Sequence, residues 1–314
     1  MHSKQINTKV NLIVLLGPTA SGKTGLAAGL AYELDTGIIS ADSRQVYKGM
    51  DIGTGKDLEE FEYKGSTIPY YLIDIAEAGE KYNLFEYQKD FADVFSQFRD
   101  AGKIPILCGG TGMYIDAVLK GYKLVQVPTD EALREKLQTK SLDELAEILA
   151  SYKSLHNASD TDTKKRAIRA IEIAKYTAEN PQIETDFPEV RPIIFGIDIS
   201  REDRRRRITE RLHTRLKEGL IEEAKELHAR GLSIEDMIYY GLEYKFLGMY
   251  LSGELTYDEM VSSLNTAIHQ FSKRQMTFFR KMEKDGHHIH WIDFNLSREQ
   301  KMHYMLEKIQ NSGL

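Results

Sequence analysis

The chain has 314 residues, 41% hydrophobic and 29% charged, a length that suits one large α/β domain carrying a substantial insertion, or two domains. Its longest apolar run, around Leu12 to Leu16, is far too short to cross a bilayer; the start lacks the apolar core of a secretory signal; and the single cysteine, Cys108, excludes an internal disulfide and a multi-cysteine zinc site, which together point to the cytoplasm and to no membrane partner. A formal net charge of −6 argues against nucleic-acid binding through bulk positive charge, so any such partner must be met by a local basic patch.

In chain order, Val10 to Leu16 is a continuous apolar run ending at Gly17, the pattern of a strand buried on both faces of a parallel sheet. Lys23 to Leu34 follows with Leu26, Ala27, Leu30, Ala31 and Leu34 on one helical face, and Gly37 to Ala41 reads as a second short strand, completing a βαβ unit. Further apolar runs at Tyr70 to Ile75 and Ile104 to Cys108 flank a helix striped by Leu84, Tyr87, Phe91, Val94, Phe95 and Phe98, opened by Asn83 with Glu86 three residues on. The alternation predicts an α/β fold built on a doubly wound parallel sheet.

Past Gly121 the texture changes. Residues 122–192 hold no convincing strand, a Ser141 to Glu144 capping box and two polar amphipathic helices, and their exit carries Pro181, Pro188 and Pro192. This reads as a helical insertion, with residues 1–121 and 193–314 forming the core. Ile193 to Ile199 returns to strand character, long helices fill the remainder, and His288 to Ile292 is a late strand candidate.

Gly17-Pro18-Thr19-Ala20-Ser21-Gly22-Lys23-Thr24 matches GxxxxGK[ST] between a predicted strand and a helix, where a P-loop belongs. Backbone amides of such a turn converge on phosphate oxygens, Lys23 adds a point charge and the Thr24 hydroxyl is suited to ligate Mg²⁺. The motif predicts phosphate or nucleotide binding, as in ATP-binding proteins, without saying what the phosphate belongs to. Asp42, opening Asp42-Ser43-Arg44-Gln45-Val46-Tyr47 at the carboxyl end of the second strand, is a candidate metal ligand or base, or a capping aspartate on the following turn. Gly109-Gly110-Thr111-Gly112 after the strand at Ile104 to Cys108 lets backbone approach a ligand closely, with the Thr111 hydroxyl at the same sheet edge. In the helix beginning near Arg201, Arg204, Arg207, Arg211 and Arg215 fall within about 80° of one another beside an apolar seam of Ile208, Leu212 and Leu216, a cationic face suited to phosphate contacts. Asp74 resembles the acidic residue that closes a Walker-B strand, while His287, His288 and His290 lack a carboxylate or cysteine at ligand spacing.

In combination, GPTASGKT, DSRQVY, MDIGTGK (Met50 to Lys56), YLID (Tyr71 to Asp74), IPILCGGTGMY and KRQMTFFR (Lys273 to Arg280) resemble the tRNA dimethylallyltransferase family of bacterial type, over nearly the whole chain. The resemblance implies a P-loop core with an inserted tRNA-binding helical domain, acting as a monomer on the anticodon stem-loop of tRNA. It implies transfer of a dimethylallyl group from dimethylallyl diphosphate to N6 of the adenosine 3′-adjacent to the anticodon in tRNAs reading codons that begin with U.

On that reading Gly17 to Thr24 hold the donor's diphosphate with Mg²⁺ on Thr24, Lys23 and Arg207 stabilise the leaving group, and Asp42 is the base. Thr111 would bond near the reacting amine or the bridging oxygen. Ser43 and Gln45, in the block that also holds Arg44, would meet the adenosine and its neighbours; Arg134, Arg166 and Arg169 match tRNA-contacting segments, and Lys273 and Arg274 would add backbone contacts. Gly241-Leu242-Glu243-Tyr244 stands where the family commonly shows a Gly-Tyr pair followed by Glu or Gln, and Ile268-His269 replace a usual Thr-Arg. The rival activities are an adenylate isopentenyltransferase alkylating a free nucleotide, and a P-loop kinase.

Overall fold

Five consecutive apolar residues, every one buried, make β1 (Leu12–Leu16) the centre of the molecule. In the computed structural model, which describes residues 10–152, 158–181 and 186–312, α1 (Lys23–Glu33) and β2 (Ile38–Ser40) follow. Next come the hairpin β3 (Glu62–Tyr63) and β4 (Ser66–Thr67), then β5 (Tyr70–Tyr71), α2 (Leu84–Asp100), β6 (Ile106–Gly109) and α3 (Gly112–Lys120). The chain continues through α4 (Glu131–Gln138), α5 (Leu142–Tyr152) and α6 (Lys164–Glu179), and returns as β7 (Pro192–Asp198). Helices α7 (Arg201–Lys217), α8 (Leu220–Ala229), α9 (Ile234–Met237), α10 (Leu242–Leu251) and α11 (Tyr257–Lys284) precede β8 (Ile289–Asp293) and α12 (Arg298–Asn311).

The main sheet is parallel throughout, in the order β5-β2-β6-β1-β7-β8. Side chains alternate between faces of a strand, so Ile13 and Leu15 enter the core shared with Leu26 and Leu30 of α1 and Met302 and Met305 of α12. From β1 the chain runs to β2 on one side and later to β7 on the other. This reversal places a crevice at the carboxyl end of β1, where open α/β sheets bind ligands. A second core joins Val46, Tyr47 and Met50, from the loop after β2, to Ile208, Leu212, Leu220, Leu247 and Leu264 of the C-terminal helices.

Packing divides the chain into one unit of Met1–Gly121 with Pro188–Leu314 and a second of Tyr122–Phe187. The return falls at Pro188, ahead of the expected 193, because Asn11 already clamps the incoming segment: its amide donates to the Arg191 carbonyl at 2.9 Å, and its side chain bonds Glu189 O at 2.8 Å and the Arg191 amide at 2.6 Å. The second unit holds three α-helices among its described residues, where periodicity predicts two; α4, eight residues long and capped by Asp130, is too short for a strong repeat. Leu137, Leu145, Leu149, Ile168 and Ile171 form its core. The expected capping box is present, Ser141 and Glu144 exchanging bonds of 2.7 and 3.2 Å.

The run at Tyr70 to Ile75 is corrected. Only Tyr70 and Tyr71 pair with β2, and the chain then turns through left-handed Leu72 (φ 62°) and Asp74 (φ 55°). The Asp74, Ile75 and Ala76 amides bond back to Gln45 and Val46 instead. No helix among the described residues is long and apolar enough to cross a membrane.

Candidate active site

The turn after β1 is built for an anion. Ala20 and Gly22 both adopt left-handed backbone, φ 61° and 74°, so successive amides turn inward at the start of α1. Gly22, at the N-cap position, offers no side-chain cap, leaving the first-turn amides for a ligand. Ser21 is 4% exposed and its hydroxyl has no hydrogen-bond partner among the described residues, the mark of a group waiting for one. The Lys23 ammonium lies against its own loop, 3.5 Å from the Pro18 carbonyl.

Such a cradle suits phosphate. No group of three or more His, Cys, Asp or Glu among the described residues could cage a metal by itself. A hydroxyl beside an anion cradle is a donor set that suits Mg²⁺, which is commonly held by one or two protein oxygens plus substrate phosphates. Thr24, half-buried in the first turn of α1, supplies such an oxygen.

Asp42 leaves the carboxyl end of β2 half-buried, and the Arg44 amide donates to its Oδ1 at 3.0 Å. The capping geometry weighed above is thus real, and it engages Oδ1. The loop is locked across the sheet: Thr111 Oγ1 accepts from the Ser43 amide at 3.0 Å and lies 3.3 Å from Ser43 Oγ, while the Thr111 amide donates to the Ala41 carbonyl at 3.0 Å. Gly109 is required, since a Cβ there would sit 2.2 Å from Ala41 O. Gln45 accepts from Ser40 Oγ at 3.3 Å and donates to the Gly55 carbonyl at 3.0 Å. Arg44 Nη1 reaches the Tyr239 carbonyl at 2.7 Å, its guanidinium 5.8 Å from the Tyr239 ring centre. Burial pushes the nearby Cys108 thiol up to about 12, against the pull of Lys23, which keeps it protonated and unreactive.

Sequence reasoning missed Gln275. It is 7% exposed; its Oε1 accepts from the Thr19 amide and its Nε2 donates to the Gly110 carbonyl, each at 2.9 Å. One α11 side chain therefore ties the P-loop to the glycine turn. Its neighbours Lys273 and Arg274 are exposed on the same helix. Glu223 was missed as well: its carboxylate accepts from the amides of Asp51, Ile52 and Gly53 at 2.8, 2.8 and 2.9 Å and from the Tyr244 hydroxyl at 2.7 Å. Lys56, 2% exposed, bonds the Tyr47 carbonyl, Asp51 and Asp74. Asp74 is thus spent on an internal ion pair rather than closing a Walker-B strand.

The arginine face of α7 turns toward these loops instead of open solvent. Arg207 Nε donates to the Ala20 carbonyl of the P-loop at 2.8 Å, its guanidinium over the Phe294 ring. Arg211 pairs with Asp57 and reaches Thr19 Oγ1 at 3.5 Å and the Gly55 carbonyl at 3.4 Å. Arg215 is buried; burial first, then the Arg211 charge, lowers its pKa. Burial pushes the Glu243 carboxyl up while Arg215 and Arg211 pull it down. Arg204 stands apart from this group, its pKa lowered by burial and then by Arg280 and Arg201.

Within 122–187, Arg134 and Arg169 converge on Glu172, which is 2% exposed: Arg134 binds it through Nε and Nη2 at 3.1 and 3.0 Å, and Arg169 pairs with it and donates to the Val127 carbonyl at 2.9 Å. Arg166 forms an exposed pair with Asp162 at 3.1 Å. Two of the three arginines singled out by resemblance therefore also brace their own unit.

A family model described as IPP transferase matches residues 45–282 and one described as isopentenyl transferase matches residues 9–76. A protein named tRNA dimethylallyltransferase 2 from Bacteroides fragilis is 56% identical over 300 residues, covering 96% of this chain and 98% of its own. Another of that name from Porphyromonas gingivalis is 57% identical, covering 96% and 100%. The crystal structure of a full-length tRNA isopentenylpyrophosphate transferase from Bacillus halodurans superposes with a TM-score of 0.69 at 30% identity, covering 96% of this chain and 97% of that one. With its P-loop, its Asp42 loop and a match along nearly its whole length, the chain belongs to the tRNA isopentenyltransferase (IPP transferase) family.

Proposed function

We propose that this protein transfers the dimethylallyl group of dimethylallyl diphosphate to N6 of the adenosine 3′-adjacent to the anticodon, in tRNAs reading codons that begin with U, and releases diphosphate. One observation carries the site assignment. The loop bearing Asp42 is fastened by Thr111 to the glycine turn against which the P-loop lysine rests, a Cβ on Gly110 lying 3.6 Å from Lys23 Nζ. Anion cradle and carboxylate thus share one sheet edge.

The reaction breaks the donor's C–O bond and forms a C–N bond. The amides of Gly17 to Thr24, Lys23 and Arg207 bind and orient the diphosphate and stabilise the charge that builds on it as the C–O bond breaks. Mg²⁺, held on Thr24, would supply further charge neutralisation there. The adenine amine is a weak nucleophile because its lone pair is delocalised into the ring; Asp42 accepts its proton as the new bond forms. Gln45 and Ser43 orient the base, and Thr111 holds Ser43 and offers its hydroxyl beside the reacting atoms. The target base must leave the anticodon-loop stack, at a modest cost for a single-stranded loop.

Gln275 and Glu223 act at one remove, fixing the glycine turn and the Asp51 to Gly53 backbone. The test is incubation with labelled dimethylallyl diphosphate and either unmodified tRNA or AMP, followed by nucleoside analysis. Label in tRNA as N6-(dimethylallyl)adenosine supports the reading; label in AMP alone, or terminal phosphate transfer without prenylation, overturns it.

A further inference from the structure

Two guanidiniums crowd one glycine. At Gly55 (φ +68°) a Cβ would lie 1.7 Å from Arg215 Nη2 and 2.6 Å from Arg211 Nη2, so only bare backbone lets both side chains in. Arg215 is 9% exposed; its Nη2 has no hydrogen-bond partner among the described residues and stands 3.9 Å from Asp57 Oδ1. Asp57 is the carboxylate these two cations share at ion-pair distance, and its side chain is 45% exposed. Glu243 is another acid whose charge reaches Arg215. At this corner two cations thus share the one carboxylate of Asp57, and Arg215 Nη2 makes no hydrogen bond among the described residues.

Arg211 is the cation at that corner able to answer an incoming anion. Its grip on Asp57 is close, whereas its reaches to Thr19 Oγ1 in the P-loop and to Gly55 O, 3.5 and 3.4 Å, are long for hydrogen bonds. Arg215, buried and like-charged, crowds the same glycine. The Gly55 carbonyl that Arg211 approaches is the same oxygen that accepts from Gln45 Nε2 at 3.0 Å.

We propose that Arg211 couples the two substrates: diphosphate in the P-loop draws its guanidinium off Asp57 and onto the Thr19 side, tightening the Gly55 backbone beneath Gln45 and so ordering the pocket for the target base. Arg211 is thus a positioning residue for base recognition as well as a donor contact. The proposal rests on Gly17 to Thr24 holding a diphosphate and on Gln45 meeting the base.

The test uses magnesium pyrophosphate and a fluorescent anticodon stem-loop RNA, each titrated with and without the other. In the unaltered protein pyrophosphate is expected to tighten RNA binding by about tenfold, and RNA to tighten pyrophosphate binding by the same factor, since coupling is reciprocal. In Arg211→Gln that factor falls to about one, beyond any loss in either separate affinity. Asp57→Asn, shown to be folded by its thermal unfolding, releases Arg211 and raises pyrophosphate affinity severalfold. An unchanged coupling factor in Arg211→Gln, an unchanged pyrophosphate affinity in Asp57→Asn, or a factor of one in an unaltered protein that still prenylates tRNA overturns the proposal. Coupling lost in Arg211→Gln by a protein that never incorporates dimethylallyl would instead sink the assigned reaction and leave Arg211's role standing.

Discussion

Gln275 donates to the Gly110 carbonyl at 2.9 Å across 165 residues of sequence, and its other amide atom accepts from Thr19. Because Gln275 is buried, Gln275→Ala leaves the half-buried Thr19 N–H and the buried Gly110 C=O without this partner, at a cost of about 2 kcal/mol in stability. The larger expected effect is on turnover. With P-loop and glycine turn no longer tied, kcat should fall on the order of tenfold or more, as misplacement by about an ångström does elsewhere. Thermal unfolding and steady-state kinetics on the same variant check both; an unchanged kcat would show that the bridge serves stability alone.

Asp42 and Lys23 should separate by phenotype. Removing a general base costs roughly 10² to 10⁴ in rate, so Asp42→Asn should lose turnover while retaining pyrophosphate binding. Lys23→Ala should weaken pyrophosphate binding as well, because its charge meets the ligand before any bond breaks. Binding calorimetry beside single-turnover prenylation tells them apart. Full activity in Asp42→Asn would remove it as the proton acceptor.

Gly55→Ala should behave as a severe lesion, because this loop glycine is buried. The new methyl meets Arg215 Nη2 at 1.7 Å in a left-handed backbone that alanine resists. Relief requires moving a buried arginine, so a loss of about 3 kcal/mol or more is expected, comparable to overpacking a core. Gly65→Ala, also left-handed at φ +78° but with nothing near its added methyl, isolates the backbone contribution. Equal losses in the two variants would discount the arginine clash.

The parallel sheet, the P-loop and the Asp42 and Thr111 edges were legible because each depends on local pattern: apolar runs, glycine spacing, a carboxylate at a strand's end. The Asn83 cap was readable for the same reason, and it forms as a full box with Glu86. Gln275 and Glu223 were not, because an amide or a carboxylate on an amphipathic helix carries no periodic sign of the distant backbone it will meet. The inward turn of Arg207, Arg211 and Arg215 was half visible: spacing put them on one face, but whether that face met solvent or the P-loop depends on how α7 docks on the loop after β2. The strand at Tyr70 to Ile75 was read too long because an apolar run ending at Asp74 looks the same whether the strand continues or bends away at Leu72.

The 122–187 unit should be acid-sensitive through Glu172. Burial opposes the charge on this carboxylate, but bonds from Arg134, the Asp130 amide and Arg169 win, and its pKa lies below the ordinary carboxylate value. A group depressed in the folded state contributes stability that is fully present above its unfolded pKa, about 4.3, and is lost as pH falls through the folded value. Unfolding of this unit should therefore become easier as pH drops below about 4.3, and Glu172→Gln should flatten that dependence. At neutral pH the same substitution leaves two arginines without their buried partner, an expected loss of about 3 kcal/mol. Hydrogen exchange of α4 and α6 between pH 3 and 7, in both proteins, reads the effect where it arises; an equally steep acid dependence in Glu172→Gln would place the titrating group elsewhere.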